Sequence, residues 1–268
     1  MSILLNSLAA LAYAGAGSVP SHATPDRPAS RWWKPLGITG WLLHGAGLAG
    51  FFFIGPDAPV FGWSLALSIT AWLLVAIHGL ESEFLQRATV PRAVWWIAAG
   101  LCLLVLLAPP TRTVAAGESV WFTLHWVLGL AAYGLIAAAV LHGVWLWRSE
   151  DRLHDVKGPA APAPDTLPLL MLEKLMMRLT WAGFIMLSIS VLFGVVLGEQ
   201  LSGRPFKSDH KTIFSLLAWG VFAGLLLANR ALGLRGKRAV KWLMAGSVLL
   251  LLGYVGSRFV LDVVLNRP

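Results

Sequence analysis

Apolar residues in this chain fall into long runs, and polar residues gather in short clusters between them. Eight runs stand out, near 3–18, 36–54, 63–82, 93–109, 120–147, 175–198, 212–229 and 242–262. A helix of about 20 apolar residues crosses the hydrocarbon core of a bilayer. Within lipid such a helix must satisfy its own backbone hydrogen bonds. The pattern therefore predicts an all-α fold, a polytopic membrane helix bundle with about eight transmembrane spans. The first run is the weakest: Ile3 to Gly17 is short and is followed by Pro20-Ser21-His22-Ala23. That is how a signal-peptide core would read, but no basic residue precedes it, which favours a true span.

The stretch Lys157 to Pro168 (KGPAAPAPDTLP) is rich in Pro and Ala and reads as an extended, flexible connection. It divides a single membrane domain, 1–268, into five spans over 1–156 and three over 169–268. There is no internal repeat, and no stretch reads as a soluble domain.

Composition agrees. The chain is 57% hydrophobic and 13% charged, where a soluble domain carries roughly 25% charged residues. The formal net charge of +8 does not point to nucleic acid, because the basic residues sit in short loops between apolar runs. There they fix orientation and meet anionic lipid. The loops after the first, third, fifth and seventh runs hold 14 Lys and Arg, and the opposite loops and tail hold 5. The richer side is expected to be cytoplasmic, which puts both termini outside a bacterial inner membrane. The single cysteine, Cys102, lies inside an apolar run. That excludes a disulfide framework, a CxxC redox pair and a CxxCH haem-attachment motif.

Candidate chemistry rests on histidines, because ionisable groups inside a membrane are costly and need partners. His125 near the start of the fifth run and His210 just before the seventh fall on the same, outer face. Two lone histidines on separate helices suit haem iron, which takes one axial ligand on each side. They suit zinc poorly, since zinc ligands commonly cluster at short spacing. Trp121, Phe122 and Trp126 surround His125, and Phe206, Phe214 and Trp219 surround His210. These aromatics read either as porphyrin walls or as the ordinary interfacial belt. Arg204, Lys207 and Lys211 are candidates to pair with propionates. Arg258 reads equally as a propionate contact or as an i,i+4 ion pair with Asp262. Asp209 is placed to orient an imidazole, or to cap the following helix.

His44 lies about eight residues into the second span, roughly 12 Å deep, and with His78 it offers a weaker inner site. A neutral histidine at such a position also serves as packing glue between helices. His142 follows His125 by 17 residues, which turns it roughly 100° around the helix and off that face. His22 and His154 fall in loops. Nothing resembles a nucleophile triad, a P-loop or a Rossmann fingerprint, and the chain reads as non-enzymatic.

The C-terminal third resembles a known family. Gly183-Phe184 and Phe193-Gly194-Val195-Val196-Leu197-Gly198-Glu199 are followed by Ser208-Asp209-His210-Lys211-Thr212 and Leu217-Ala218-Trp219. Then come Leu234-Arg235-Gly236-Lys237-Arg238-Ala239 and Gly253-Tyr254-Val255-Gly256-Ser257. This is similar to the cytochrome c assembly protein family, which includes the CcsA/ResC haem-delivery subunits and the shorter HemX- and YpjD-like membrane proteins. In that resemblance Glu199 matches the family's Asn-Glu glutamate. Asp209 and Lys211 match the aspartate and lysine of its Trp-Asp-Pro-Lys segment, with His210 standing where the proline would be. His125, in His125-Trp126-Val127-Leu128-Gly129, resembles the external haem-ligating histidine. The departures are the missing tryptophan-rich outer loop, replaced by Ser202 to Lys207, and Leu226-Leu227-Ala228-Asn229-Arg230 where a membrane histidine segment would stand. They remove the haem-presenting platform of a synthetase subunit, while the overall length, His44 in the second span and the Asp209-His210-Lys211 variant point to the HemX/YpjD branch.

The resemblance implies haem chemistry without synthetase activity. The expectation is a haem-handling inner-membrane accessory in cytochrome c assembly or haem homeostasis. Its cofactor would be non-covalent haem b with His125 and His210 as axial ligands, and its partners haem, the lipid bilayer and another membrane protein. One alternative is a haem-free regulatory subunit of another membrane protein such as an ion transporter. The other is a b-type electron carrier, which would need four helix-borne histidines in register.

Overall fold

Helices occupy all eight apolar runs. In a computed structural model, residues 1–19, 32–54, 60–85, 90–110, 112–113, 120–154, 168–202 and 210–264 are described. The helices are α1 (Ser2–Ser18), α2 (Trp33–Phe53), α3 (Trp63–Phe84), α4 (Arg92–Leu107), α5 (Val120–His154), α6 (Leu169–Ser202), α7 (His210–Leu232) and α8 (Gly236–Leu251). The last helix continues through a π turn (Leu252–Gly256), a short α9 (Ser257–Phe259) and a second π turn (Val260–Val264). Two-residue strands β1 (Val60–Phe61) and β2 (Arg112–Thr113) pair antiparallel. The chain is a polytopic helical membrane protein: six of the helices are long and apolar enough to cross a bilayer, and α1 and α4 are shorter, at 17 and 16 residues.

Two helices outrun the apolar pattern. Helix α5 extends to His154, and α6 begins at Leu169. Both ends carry charged residues, so hydropathy truncates them. Yet Leu172 remains buried in the core, and packing carries α6 beyond its apolar run. The Pro/Ala-rich connection expected over 157–168 lies, Pro168 apart, outside the described residues.

The chain forms two compact units, Met1–Ser119 with Arg258–Pro268, and Val120–Ser257. In the first, α1 packs on α2 and α4, and α3 packs on the same two helices. Small residues allow this closeness, as is general for helices in lipid. A side chain at Gly37 would collide with the Trp95 ring, and one at Gly40 would press on Tyr13. Tyr13 is itself fully buried and stacks on Trp95 with ring centroids 5.9 Å apart. Trp41 and Trp72 stack face to face at 4.8 Å, and each indole N–H donates to the other's backbone carbonyl, at 3.2 and 3.0 Å. The two large rings thus bury their polar edges without water.

In the second unit α5 packs on α6 and α8, and α7 packs on the same pair, which closes a ring with α5 and α7 across one diagonal. Its core includes Ala132, Ile136, Met176, Phe222, Leu225 and Leu243. Gly233 (φ 65°) and Gly236 (φ 59°) make the tight turn from α7 into α8, in the left-handed conformation that a side chain opposes. Toward the end where α5 starts, the buried apolar layer ends at Ala132, Leu187, Ala218 and Leu250, with Ser190 and Gly253 buried just past it. Beyond it Leu128, Gly129, Ser215 and Tyr254 are half-buried, and this less buried end of the described bundle is its mouth.

Candidate functional site

His125 sits in that mouth, half-buried, on the second turn of α5. Its Nδ1 lies 2.7 Å from the Ser190 carbonyl oxygen on α6. A carbonyl only accepts, so Nδ1 carries a proton and Nε2 is the nitrogen left to bind a metal. The Ser190 hydroxyl lies 3.2 Å from the same Nδ1 and donates to the His125 carbonyl at 3.0 Å. One buried serine therefore fixes both the backbone and the ring of His125. The ring lies against bare backbone at Gly194, where a Cβ would come within 3.1 Å of Cε1 and 3.9 Å of Nε2. This is the tautomer and tethering typical of a metal-bound imidazole, whose other nitrogen donates to a carbonyl.

The helix register places the start of α7 near Gly194 of α6. Gly129 faces Ser190 and His125 faces Gly194 on α6. Farther down, Trp219 of α7 donates to Ser188 and packs on Phe184. Running the antiparallel α6–α7 register from those contacts up to Gly194 arrives at the first turn of α7, which begins at His210. His210 itself is exposed. Its helix packs on α6 and α8.

Of the other expected partners, Lys211 is half-buried with its ammonium 5.8 Å from the Tyr254 ring centroid, a cation–π arrangement. Trp126 is half-buried. Arg204, Lys207 and Asp209 lie outside the described residues, and the Glu199 side chain is likewise outside them. Arg258 falls in the other compact unit. The ion pair its spacing allowed with Asp262 does not form: Asp262 Oδ1 is buried and unpartnered. The π turn beginning at Val260 changes the angular spacing on which i,i+4 pairing depends.

The inner histidines do other work. His44 is fully buried, its Nε2 2.8 Å from the Ser68 hydroxyl and its Nδ1 3.4 Å from the Tyr13 hydroxyl. With both nitrogens engaged it joins three helices as packing glue. Ser68 precedes His78 by ten residues on α3, roughly 15 Å at 1.5 Å per residue. The structure thus does not bring His44 and His78 to one site. His78 Nδ1 bonds the Leu74 carbonyl at 3.1 Å, and His142 Nδ1 bonds the Ala138 carbonyl at 2.9 Å, each one turn back on its own helix. His44→Leu is expected to leave two buried hydroxyls without their acceptor or donor and to cost about 1–3 kcal/mol of stability. Thermal unfolding of the purified variant checks this.

Three residues of the mouth escaped the sequence reading in this role: Ser190, Gly194 and Tyr254. Ser190 and Gly194 form a small-x-x-x-small pair on one face of α6, the pattern that lets membrane helices approach closely. Tyr254 lies on the π turn, which no sequence period announces. Tyr133, also half-buried, donates its hydroxyl to the Leu250 carbonyl just before that turn and ties α5 to the point where the winding changes.

Comparison with known proteins places these helices in a family. The family model described as "Cytochrome C assembly protein" matches residues 54–265. A 28.8 kDa protein from a nifR3-like 5′ region of Azospirillum brasilense is 30% identical over 159 residues, covering 59% of this chain and 58% of its own. The inner membrane protein YpjD of Escherichia coli K12 is 30% identical over 136 residues, 51% of this chain and 50% of YpjD. The cytochrome c biogenesis protein CcsA of Synechococcus sp. JA-3-3Ab is 27% identical over 237 residues, 69% of each chain. The match therefore spans 58% and 50% of the first two relatives' length. With the family model covering most of its length, this chain belongs to the cytochrome c assembly protein family.

Proposed function

We propose that this protein is a haem-handling accessory of cytochrome c assembly or haem homeostasis, binding non-covalent haem b in the mouth of its second unit. It lies in the inner membrane with that mouth outward and both termini outside. The observation that carries the reading is the tethered His125 ring, with Nδ1–H held by the Ser190 carbonyl, Nε2 left as the ligand nitrogen, and the ring laid on Gly194. Membership of the family supports a role in cytochrome c biogenesis. The donor set fits haem iron: a neutral imidazole of fixed tautomer on α5, a second imidazole at the start of α7, and an ammonium at Lys211 for a propionate.

Haem, when bound, supplies an iron–porphyrin that can be passed to an acceptor. The protein's own residues bind and orient it. Ser190 fixes the His125 tautomer, Gly194 leaves room for the ring, and Tyr254 holds Lys211 in place. His210, exposed at a helix start, would hold the iron from the side nearer solvent. The protein purified from haem-sufficient cells is expected to show a Soret band. The double variant His125→Ala, His210→Ala should lose it while keeping the helical circular dichroism of the parent. A Soret band unchanged by the double substitution overturns the reading.

A further inference from the structure

The opposite end of the second unit carries a charge arrangement that the haem reading does not use. Here α5 ends, α6 begins, α7 ends and α8 begins. Among the described residues its carboxylates are Glu150, Asp151 and Glu173, and all three point to the start of α8. Glu173 accepts the Gly236 backbone N–H at 3.2 Å, Glu150 packs over the Gly236 Cα, and Asp151 pairs with Lys237 at 2.5 Å. Acids so placed answer the positive end of the helix dipole. The neighbouring cations form no ion pair among the described residues. Arg148 and Arg152 lie one turn apart on α5, and Arg238 and Lys241 one turn apart on α8. All four are exposed, and no described carboxylate lies within ion-pair distance of any of them.

Like charges one turn apart on a helix repel. Here two such pairs stand on helices that pack directly together. The Lys241 ammonium lies 5.7 Å from the Trp147 ring centroid, which sets the α8 pair against the stretch of α5 that carries Arg148. A phosphate held between the two pairs would relieve both repulsions, and the apolar helix below would receive acyl chains.

We propose that this α5–α8 edge is a binding site for the headgroup of an anionic phospholipid, clamped by Arg148, Arg238 and Lys241 and anchored on Trp147. The site is independent of the haem-binding reading. The full chain, purified in detergent micelles doped with phosphatidylglycerol or phosphatidylcholine, is tested by native mass spectrometry for retained lipid. Phosphatidylglycerol should be retained about tenfold better, and Arg148→Gln/Arg238→Gln/Lys241→Gln should abolish that preference. Lys174→Gln/Arg178→Gln, on α6 at the same end, should change retention by less than about twofold. If the triple variant loses helical circular dichroism, the pair Arg238→Gln/Lys241→Gln replaces it with the same expected direction. Equal retention of the two lipids, or a preference that survives the substitutions, overturns the proposal. So does displacement of the lipid by millimolar inorganic phosphate, which would make this a free-anion site.

Discussion

Gly194→Leu is expected to empty the haem site while leaving the bundle helical. A Cβ at this position would already lie 3.1 Å from His125 Cε1 and 3.4 Å from Nδ1, tighter than most such contacts. Leucine adds three more carbons in the space the imidazole occupies. The ring must then leave the Ser190 carbonyl, which now holds it at 2.7 Å. Losing the partner that orients a ligating histidine costs about 10- to 100-fold in affinity. Haem retained per protein after purification should fall by about that factor. Gly194→Ala should retain most of it, because one methyl group asks the ring to yield by only a few tenths of an ångström. Overpacking is also expected to cost about 1–3 kcal/mol of stability, so circular dichroism and haem content are read together. Full haem retention in the leucine variant would show that the His125 ring does not need Gly194.

Phe222→Ala should be the most destabilising single change in the second unit. The ring is fully buried in the bundle core and packs so closely on Gly246 that a Cβ there would come within 2.7 Å of it. Removing it opens a cavity against backbone of α8 that cannot collapse. Burial of Phe in water-soluble cores is worth about 3–5 kcal/mol on truncation to Ala. In lipid the transfer from water is missing from that figure, and packing is what remains. The loss is therefore expected at the lower end, about 3 kcal/mol, read from denaturant titration of the purified protein. A change below about 1 kcal/mol would show that α7 and α8 are not held by this contact.

Much of the fold is legible because lipid imposes a length on every apolar run. The placement of α2, α3 and α7 follows from run length alone. The extents of α5 and α6 do not, because their charged ends leave the hydrocarbon while Leu172 continues the core. The π winding after Leu251 is equally silent in the sequence, and it is why Arg258 and Asp262 do not pair. The candidate site is half legible. His125 and His210 stand out in the apolar pattern as residues expected at one depth. What the pattern could not reveal is how His125 is held. Ser190 and Gly194 are small residues whose meaning depends on which face of α6 meets α5. His44 shows the converse: a membrane histidine that looked like a ligand is saturated by Ser68 and Tyr13, hydroxyl partners 24 and 31 residues away in sequence.

The central claim is that His125 and His210 bind one haem from opposite sides. Optical and electron paramagnetic resonance spectra of the haem-loaded protein test it most directly, with each histidine replaced singly by alanine. The account predicts a six-coordinate, low-spin bis-imidazole spectrum for the parent and a five-coordinate, high-spin spectrum for each single variant. A low-spin spectrum that persists unchanged in either variant would contradict it.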